Sequence, residues 1–498
     1  MPASSRHWPD VGASIRAALA STSGLAIQAG EETLDWSGLA DRIARIDADL
    51  SRAGIATGAV VAVPGRNDID CAVAFLALIA SGRTAAIVNP FQSGPAILAS
   101  TRAYSPDALL LPEGDSAVAE AALNGPPLLL MASNGGITRL DGKAGSNASD
   151  SDQRDAAFIC PTSGTTGDPK LITITRGTLA RAMVEIATFN AGFGDRPGID
   201  GGWPPLLQYS PLAHIGGVLT LLRGAVQGRA VVLIDRFEPH GWADLVERFR
   251  LRTTGLPPAM MRMVLEARIA PARLASLISI WSGTAPVRAG DSDAFSRRYG
   301  LPVLGNYGAT EFCGAIATWS LDDHSQFHAE RRGAVGRVDP QVATVRIRDG
   351  TGAIVSRGGE VGTLEVVVHR IGAQWMTTSD LASFDEEGFL YLHGRSDDAI
   401  IRGGFKLSPS KIAMALRDHH AVRDAVVIGV PDDRLGQVPV ALVEVSPVTL
   451  LDEAELIAFA RARLPAYFVP TAVRIVPALP RTATMKLDRR AIRALFDA

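Results

Sequence analysis

Residues 156–170 read AAFICPTSGTTGDPK, an apolar run followed by a turn rich in glycine and hydroxyl side chains. The first five residues have the apolar, β-type character of a buried strand. Gly164 and Gly167 let the backbone approach a ligand closely, and the hydroxyls and exposed N–H groups of such a turn can surround phosphate oxygens. Lys170 adds a positive charge. The stretch therefore predicts a polyphosphate-binding loop at the end of a strand.

An ordinary surface turn rich in Ser, Thr and Gly is the alternative explanation of the same letters. The loop is not a Walker A motif, because Pro169 precedes the lysine and the spacing from Gly164 to Gly167 is too short for GxxxxGK[ST]. This excludes a kinase-type or GTPase-type P-loop. The choice between a ligand loop and a plain turn depends on the rest of the chain.

Composition indicates a large globular protein. At roughly 150 residues per domain, 498 residues predict about three domains. The chain is 47% hydrophobic and 20% charged, and its 49 Lys and Arg against 52 Asp and Glu give a net charge of −3. Such a balance provides no basic surface for a polyanion, so we expect no nucleic-acid partner.

Cysteines and apolar runs predict a cytoplasmic protein without a membrane span. Cys71, Cys160 and Cys313 are scattered and lack CxxC spacing, which argues against disulfides and a zinc site and favours a reducing compartment. Residues 1–10 lack the apolar core of a signal peptide. The longest apolar run, residues 71–80, has about half the ~20 residues that cross a bilayer. We expect it to form a buried helix.

The order of patterns along the chain predicts an α/β fold. Short apolar β-type runs alternate with helical patterns, as in residues 59–63 followed by 70–80 and 231–234 followed by 241–250, which favours parallel sheets covered by helices. From residue 343 onward, paired β runs with turn residues between them indicate hairpins. After residue 394 the pattern indicates a separate α+β domain of about a hundred residues.

Further motifs follow the phosphate-binding stretch in one order. They are SPLAHIGG at 210–217, SGTAPV at 282–287, NYGATE at 306–311, GGEVGTLEV at 358–366, TSD at 378–380, GRSDD at 394–398 and LPRTATMKLDRR at 479–490. Together they cover roughly residues 160–490. In these motifs the chain resembles the adenylate-forming superfamily of acyl-CoA synthetases, peptide-synthetase adenylation domains and luciferases, in particular its acid–CoA ligase branch.

The resemblance implies a two-domain architecture. Residues 1–394 would form a large N-terminal domain of parallel-sheet subdomains plus a β-barrel-like subdomain, which binds ATP and the acyl group. Residues 395–498 would form a small, mobile α+β C-terminal domain that carries the catalytic lysine, with a hinge at Asp397.

ATP and Mg²⁺ are the ligands that the resemblance implies for the motifs. Glu311 would hold Mg²⁺, which favours a carboxylate together with phosphate oxygens. Tyr307 would stack on adenine, Ala285 would line the adenine pocket, and Asp380 with Arg395 would contact the ribose. The complete set of predicted ATP contacts is Thr162, Ser163, Gly164, Thr165, Thr166, Gly167, Lys170, Ala285, Asn306, Tyr307, Gly308, Thr310, Asp380 and Arg395.

Lys486, His214 and Glu311 are the predicted catalytic residues. When a carboxylate attacks the α-phosphorus of ATP, negative charge develops on the phosphate oxygens, and a cation there stabilises the transition state more than the ground state. Taken alone, Lys486 with its neighbours Arg481, Arg489 and Arg490 would be a solvated basic face; the motif favours catalysis. His214, taken alone, would be a core histidine; the resemblance implies that it steers the carboxylate.

The remaining site predictions concern the acyl group and CoA. The resemblance places an acyl pocket at His214, Gly216, Gly283 and Gly308, and it places the glycine turn of Arg402, Gly403 and Gly404 beside the pantetheine channel. An ordinary Gly-Gly hairpin turn is the alternative for that turn. The histidines His324, His328, His419 and His420 have no partners typical of a metal site, and we assign them no function.

Two positions depart from the family pattern. Ser379 and Met485 stand where glycine is usual. Serine is small enough to be tolerated, whereas Met485 restricts the backbone just before Lys486 and puts the adenylation rate in question.

Three functions are compatible with these features. The first is an ATP-dependent acid–CoA ligase that forms acyl-AMP and pyrophosphate and then acyl-CoA and AMP; the second is a freestanding adenylating enzyme that loads a carrier protein; the third is a catalytically weak nucleotide-binding relative. No acidic residue that could pair with a substrate ammonium occurs in residues 210–222, so we expect an aryl or medium-chain acid without an α-amino group. A homodimer is compatible with this interpretation.

Overall fold

The computed structural model describes residues 10–90, 101–112, 128–132, 134–140, 155–162, 170–195, 202–285, 287, 289–355, 359–445, 451–482 and 487–496. The chain forms two compact units, Met1–Glu330 and Arg331–Ala498. This boundary between the units differs from the predicted domain boundary at residue 395, because residues 331–394 belong to the second unit. The domain boundary stays a prediction.

Helices of the first unit begin at side-chain caps. Asp10, Asp35 and Asp68 each accept a hydrogen bond from the backbone N–H three residues later, which satisfies a donor at the helix start. The helices described in this unit are α1 Val11–Ser21, α2 Trp36–Arg52, α3 Ile69–Ala80, α4 Arg176–Gly192, α5 Ile215–Gln227, α6 Pro239–Phe249, α7 Pro258–Glu266, α8 Ala289–Tyr299 and α9 Leu321–Phe327.

Three groups of strands make up the sheets of the first unit. The described strands are β1 Leu25–Ala29, β2 Glu32–Asp35, β3 Val60–Pro64, β4 Thr84–Val88, β5 Ala108–Pro112, β6 Leu128–Met131, β7 Ile137–Leu140, β8 Ala156–Thr162, β9 Lys170–Thr175, β10 Leu206–Gln208, β11 Val231–Leu233, β12 Thr253–Gly255, β13 Ser279–Ser282, β14 Val303–Ala309 and β15 Gly314–Thr318. Their orders are β7-β6-β5-β3-β4-β8-β9, β10-β11-β1-β2 and β12-β13-β14-β15.

The central strands of the seven-stranded sheet are parallel and buried. β3 pairs with β4 and β5, and β4 pairs with β8, all in parallel. Every residue of β3 and β4 is buried, as is typical of a parallel sheet covered on both faces. Helix α3 is buried from Cys71 to Ala80, so the apolar run is a core helix, as predicted.

In the second unit, the strands are antiparallel except for one pair. They are β16 Ala334–Val338, β17 Ala343–Arg348, β18 Ile354–Val355, β19 Gly362–Val368, β20 Met376–Phe384, β21 Phe389–Arg395, β22 Ile400–Arg402, β23 Phe405–Leu407, β24 Val422–Asp432, β25 Gly436–Val445 and β26 Ala472–Val476. Strands β16 to β21 lie in the order β16-β21-β20-β19-β17-β18, and the others in the order β23-β22-β25-β24 with β26 parallel to β25.

Alternation along β24 and β25 divides their side chains between two cores. Val427 and Val443 face one core. This core also contains residues of two helices, α10 Pro409–Arg417 and α11 Glu453–Arg461. Val426 and Leu442 face the core that contains Ile492 of α12 Arg489–Ala494. We call the sheet of β22 to β26 the small sheet. Helix α12 packs on this sheet and begins three residues after the predicted catalytic lysine. The predicted α/β class with a C-terminal α+β region is confirmed.

No helix in the described ranges is both long and apolar enough to span a bilayer.

Candidate active site

The two ends of the predicted phosphate-binding loop lie side by side. β8 and β9 are antiparallel, and Thr162 on β8 is the direct partner of Lys170 on β9, whose side chain is exposed. Ser163, Gly164, Thr165, Thr166 and Gly167 lie outside the described residues. The hairpin that carries them is anchored by Cys160, which is buried in the main core. Thr162 and Lys170, the residues on either side of the predicted loop, therefore belong to the last two strands in the order of the seven-stranded sheet.

Glu311 lies in the turn between β14 and β15. The turn is closed by hydrogen bonds from the Phe312 N–H to the Ala309 carbonyl at 3.1 Å and from the Cys313 N–H to the Thr310 carbonyl at 3.0 Å. Phe312 and Cys313 are buried, whereas Glu311 is half-buried. The side chains after Glu311 thus anchor the turn and leave the carboxylate at its edge.

An electrostatic link connects this turn to the phosphate-binding strand. Burial raises the pKa of the Cys160 thiol well above its ordinary value, and the nearby Cys313 and Glu311 raise it further. Cys160 on β8 and the Glu311 turn are therefore neighbours, as a shared site for triphosphate and Mg²⁺ requires. A thiol held in its protonated form is a poor nucleophile, so Cys160 is a packing residue.

One carboxylate fits the predicted Mg²⁺ site. Proteins commonly hold Mg²⁺ with one or two carboxylates while substrate phosphates and water complete the octahedron. Glu311 supplies such a carboxylate at the edge of a rigid turn. Among the residues described here, no cluster of three or more His, Cys, Asp or Glu side chains forms a separate metal cage. A single carboxylate, that of Glu311, suits a Mg²⁺ ion whose other ligands are nucleotide phosphates and water.

The SGTAPV and NYGATE motifs are in direct contact. Ser282 on β13 pairs with Gly305 on β14, so Gly283, which follows β13, comes next to Asn306 on β14. A Cβ atom on Gly283 would lie 2.1 Å from the Asn306 Oδ1, and only glycine allows this approach. Gly308 is equally constrained, because a Cβ there would lie 2.3 Å from the Gly314 carbonyl oxygen. Both glycines are required for packing, whatever ligand they also face.

Tyr307 is buried, with 8% of its surface exposed. Its ring packs edge-on against Phe312 at a centroid distance of 6.2 Å. Only a small part of the ring is left for a ligand, and adenine stacking on Tyr307 remains a prediction.

Thr284 has a backbone conformation that the sequence analysis did not predict. Its φ is +70°, a left-handed conformation that is an outlier for a β-branched residue. Thr284 and Ala285 are exposed, while the preceding Ser282 is fixed by a 2.7 Å hydrogen bond from its Oγ to the Leu256 carbonyl. Strained backbone of this kind is concentrated at functional sites. In the sequence, Thr284 lies between Gly283 and Ala285, which are both predicted ligand contacts. This position is the feature that could have drawn attention to it.

His214 caps the N-terminus of α5. Its Nδ1 accepts a 3.5 Å hydrogen bond from the Gly216 N–H, and the side chain is half-buried. An accepting Nδ1 leaves Nε2 as the nitrogen that carries the proton in the neutral ring. His214 can therefore donate a hydrogen bond to an anionic group, which agrees with the predicted steering of a carboxylate.

Close backbone contacts hold the loop before α5 in place. The Ala213 N–H donates to the Gly65 carbonyl at 3.0 Å, and a Cβ on Gly65 would lie 2.3 Å from the Ala213 nitrogen. A Cβ on Gly217 would lie 2.3 Å from the Pro211 carbonyl oxygen. By contrast, a Cβ on Gly216 would meet nothing nearer than 3.5 Å. Gly216, the second residue of α5, is thus not required by close packing, and its place in an acyl pocket remains a prediction.

In the second unit, Asp380 and Arg395 face each other across β20 and β21. They are direct strand partners, and the Arg395 Nη1 lies 3.9 Å from the Asp380 Oδ1. Arg395 also binds Asp397 in a bidentate contact, with Nε to Oδ1 at 2.9 Å and Nη2 to Oδ2 at 2.7 Å. These hydrogen bonds lower the pKa of the Asp397 carboxyl and raise the pKa of the Arg395 guanidinium. The predicted ribose pair and the predicted hinge residue therefore form one charged cluster.

Ser379 is held through both its side chain and its backbone, since its side chain hydrogen-bonds the Asp397 carboxylate. Its carbonyl accepts hydrogen bonds from the Ser396 N–H at 2.7 Å and the Ser396 Oγ at 3.1 Å. Met485 and Lys486 lie outside the described residues.

The predicted CoA turn joins β22 to β23. Gly403 and Gly404 have φ of +55° and +87°, which explains the glycine pair. The Arg402 Nη1 donates to the carbonyls of Tyr467 at 2.8 Å and Val469 at 3.1 Å. Part of this guanidinium thus stabilises the fold, and the contact with CoA remains a prediction.

Comparison with known families decides the assignment. The profile of AMP-binding enzymes matches residues 15–371, and that of the AMP-binding enzyme C-terminal domain matches residues 411–486. The chain belongs to the AMP-binding enzyme family. The resemblance to the adenylate-forming superfamily is thereby confirmed over both units.

Two curated relatives of this AMP-binding enzyme are 2-succinylbenzoate–CoA ligases. A 2-succinylbenzoate–CoA ligase from Bacillus pumilus is 32% identical over 360 residues, which cover 69% of this chain and 70% of the relative. Another from Bacillus cereus is 28% identical over 496 residues, 95% of each chain.

Solved structures confirm the fold. ATP-bound MatB from Rhodopseudomonas palustris superposes with a TM-score of 0.81 at 22% identity and covers 98% of both chains. The amide bond synthetase McbA from Marinactinospora thermotolerans gives a TM-score of 0.78 at 25% identity, covering 98% of this chain and 99% of McbA.

Proposed function

We propose that this AMP-binding enzyme is an ATP-dependent ligase that joins an aryl carboxylic acid to CoA. The observation that carries the proposal is the similarity to 2-succinylbenzoate–CoA ligases over 95% of both chains. The acid and ATP would give acyl-AMP and pyrophosphate, and the CoA thiol would then displace AMP. This order converts a poor leaving group into a good one, so the protein itself needs no nucleophile.

Each site residue has a chemical task in the first half-reaction. Mg²⁺, when bound, offsets the charge of the triphosphate, and Glu311 would hold it. Lys170 and the loop after Thr162 would bind phosphate oxygens, and Asp380 with Arg395 would orient the ribose. Lys486 would stabilise the charge that develops as the carboxylate attacks the α-phosphorus. The His214 Nε2–H would orient that carboxylate.

An aryl acid is the substrate class that the site supports best. The named substrate of the relatives, 2-succinylbenzoate, is an aryl acid. Val218 and Leu219, which come shortly after Gly216 on α5, are buried in the main hydrophobic core, and an apolar wall at this end of α5 would suit an aryl group. Residues 210–222 contain no carboxylate for an α-ammonium group.

Pyrophosphate and thioester assays test the proposal. Purified protein is incubated with ATP, Mg²⁺ and single acids from a panel of aryl acids, including 2-succinylbenzoate and benzoate, medium-chain acids and amino acids. We expect acid-dependent pyrophosphate release without CoA, thioester only with CoA, and the highest rates with an aryl acid. Pyrophosphate release that is independent of every acid in the panel would refute ligase activity, and transfer only to a carrier protein would refute CoA as acceptor.

Lys486→Ala separates the two half-reactions. We expect this variant to lose adenylate formation and to convert synthetic acyl-adenylate and CoA into thioester at nearly the normal rate. Equal loss of both steps would contradict the role of Lys486.

The finer predictions on location and assembly remain proposals. The three cysteines are free and buried, which supports a reducing compartment such as the cytoplasm. Cell fractionation tests the location, and light scattering tests the predicted homodimer.

A further inference from the structure

A loop of residues 209–214 joins β10 to α5 and ends at His214, the N-cap residue of the helix. Gln208, the last residue of β10, directly precedes the loop. The chain at both ends of the loop contacts one short segment, residues 65–67, which lies between β3 and α3. The position of the proposed carboxylate donor therefore depends on how this segment holds the loop.

At the end of the loop next to His214, backbone atoms make the contact. The Ala213 N–H donates to the Gly65 carbonyl at 3.0 Å. Glycine is required for this approach, since a Cβ on Gly65 would lie 2.6 Å from the Ala213 Cα. The His214 N–H donates to the Pro211 carbonyl at 2.9 Å, so the last turn of the loop is closed.

At the other end, two buried amide side chains make the contact. The Asn67 Nδ2 donates to the Gln208 carbonyl at 3.3 Å and to the Ile234 carbonyl at 3.1 Å. The Gln208 Nε2 donates in return to the Asn67 Oδ1 at 3.0 Å. Asn67 is 7% exposed and Gln208 is 1% exposed, so bulk water does not compete for these hydrogen bonds. The amide pair thus joins the end of β10 to the segment that follows β3.

The 65–67 segment is itself held by buried elements. The Gly65 N–H donates to the carbonyl of Val88, the last residue of β4, at 3.0 Å. Asp68 caps α3, which is buried from Cys71 to Ala80. A segment between a buried strand and a buried helix has little freedom to move, so its contacts restrict the loop as well.

Stability alone does not explain a glutamine at position 208. The Gln208 Oε1 is buried, and it has no hydrogen-bond partner among the described residues. A buried acceptor without a partner destabilises the folded protein, and an apolar side chain of similar length would avoid that cost. The feature that the amide adds is the directed hydrogen bond to Asn67.

We propose that Asn67 and Gln208 position the 209–214 loop so that the His214 Nε2–H points at the substrate carboxylate. The inference rests on the proposed function and adds two positioning residues to it. Asn67 and Gln208 act through the loop, while the hydrogen bond to the acid belongs to His214. Loss of either amide should therefore weaken binding of the acid and leave binding of ATP unchanged.

Steady-state kinetics of Asn67→Ala and Gln208→Met test the inference, with the aryl acid that the wild type activates fastest. We expect the KM for the acid to rise about fivefold or more in both variants, because a displaced donor loses most of its hydrogen bond to a charged group. The KM for ATP should stay within about twofold. Gln208→Met should also keep the urea midpoint of the wild type, since it removes the unpartnered acceptor together with the amide.

Asn190→Ala is the matched control. Asn190 is also a buried asparagine, 9% exposed, and its Nδ2 donates to the Ile186 carbonyl of the same helix, α4, at 2.7 Å. This variant should lose stability and keep both KM values. A rise in the acid KM equal to that of Asn67→Ala would show that the effect comes from lost stability and would overturn the inference.

Combination with His214→Asn distinguishes positioning from an independent effect on the acid. If the amides act through His214, Asn67→Ala should raise the acid KM by less than about twofold in a protein that already carries His214→Asn, whereas independent effects would multiply. Full multiplication, or an unchanged acid KM in both Asn67→Ala and Gln208→Met, would overturn the inference. An unchanged acid KM in His214→Asn alone would overturn the role of this histidine and, with it, the inference.

Amide hydrogen exchange gives a readout that needs no turnover. Residues 209–214 should exchange faster in Asn67→Ala and Gln208→Met than in the wild type, and at the wild-type rate in Asn190→Ala. Wild-type exchange of this loop in both amide variants would overturn the inference. Pyrophosphate release that is independent of every acid would instead overturn the proposed function, so the two failures are distinguishable.

Discussion

His214 caps a helix and is also the proposed donor to the substrate carboxylate. Its Nδ1 caps α5, and its Nε2–H is the donor proposed to orient the substrate carboxylate. An alanine at this position would remove both functions together. Asparagine separates them, because it is among the best N-cap residues and lacks the imidazole.

We therefore predict that His214→Asn folds with near-normal stability and raises the KM for the acid about tenfold or more, the size expected for loss of a hydrogen bond to a charged group. Initial rates at saturating ATP with varied acid, together with urea unfolding, provide the measurement. His214→Ala should show the same KM and a lower free energy of unfolding. Normal acid KM in His214→Asn would show that the residue serves only as a cap.

Helix α9 and its C-cap residue carry a stacked pair of histidines, His324 and His328, to which the sequence analysis assigns no function. The rings of His324 and His328 stack at a centroid distance of 4.1 Å, and both lie edge-on to Trp319. The His324 Nε2 is buried without a hydrogen-bond partner. Burial, together with the charge of His328, lowers the pKa of His324 to about 4. The folded protein therefore keeps this ring neutral at pH values where the unfolded chain protonates it.

This difference in pKa predicts a loss of stability in acid. The unfolded chain binds the proton near the ordinary pKa of 6.5 and the folded protein near 4, so the unfolded state holds more protons between these values. The His324 contribution to the free energy of unfolding is complete above pH 6.5 and decreases as the pH falls towards 4. Urea unfolding of His324→Phe at several pH values should show a smaller decrease than the wild type. His240→Gln, which changes an exposed histidine, is the control. If the free energy of unfolding of His324→Phe fell with pH as steeply as that of the wild type, His324 would not be the source of the acid sensitivity.

Contacts within one pair of strands could be predicted from the sequence, whereas contacts set by distant elements could not. Gly283 and Asn306 were both recognised as ligand contacts, and their proximity follows from the pairing of the parallel strands β13 and β14. The strain at Thr284 was not predictable, because its backbone depends on the packing of Gly283 against Asn306.

Long-range ion pairs mark the limit of the sequence analysis most clearly. The arginines around Lys486, taken alone, resemble a solvated basic face. Arg481 nevertheless binds Asp424 and Arg489 binds Asp398, contacts between residues 57 and 91 positions apart in the sequence. Charge spacing along the chain contains no signal for such pairs.

At the scale of the whole molecule, nucleotide binding should increase the free energy of unfolding. A ligand that binds only the folded protein raises the free energy of unfolding, by about 2.7 kcal/mol at a concentration one hundred times its Kd. If Glu311 holds Mg²⁺ beside the triphosphate, ATP with Mg²⁺ should stabilise the protein more than ATP with a chelator. The difference between the two conditions then reports on Glu311 without any turnover, since the acid is omitted.

Thermal unfolding of Glu311→Gln provides this measurement. We expect the variant to keep the shift in Tm caused by ATP with a chelator and to lose most of the additional shift caused by Mg²⁺, because glutamine has the shape of glutamate without the charge that the cation prefers. Glu32→Gln, an exposed glutamate on β2, should respond like the wild type. A full Mg²⁺-dependent shift in Glu311→Gln would place the cation on other ligands, and the turn between β14 and β15 would then serve the nucleotide through its backbone alone.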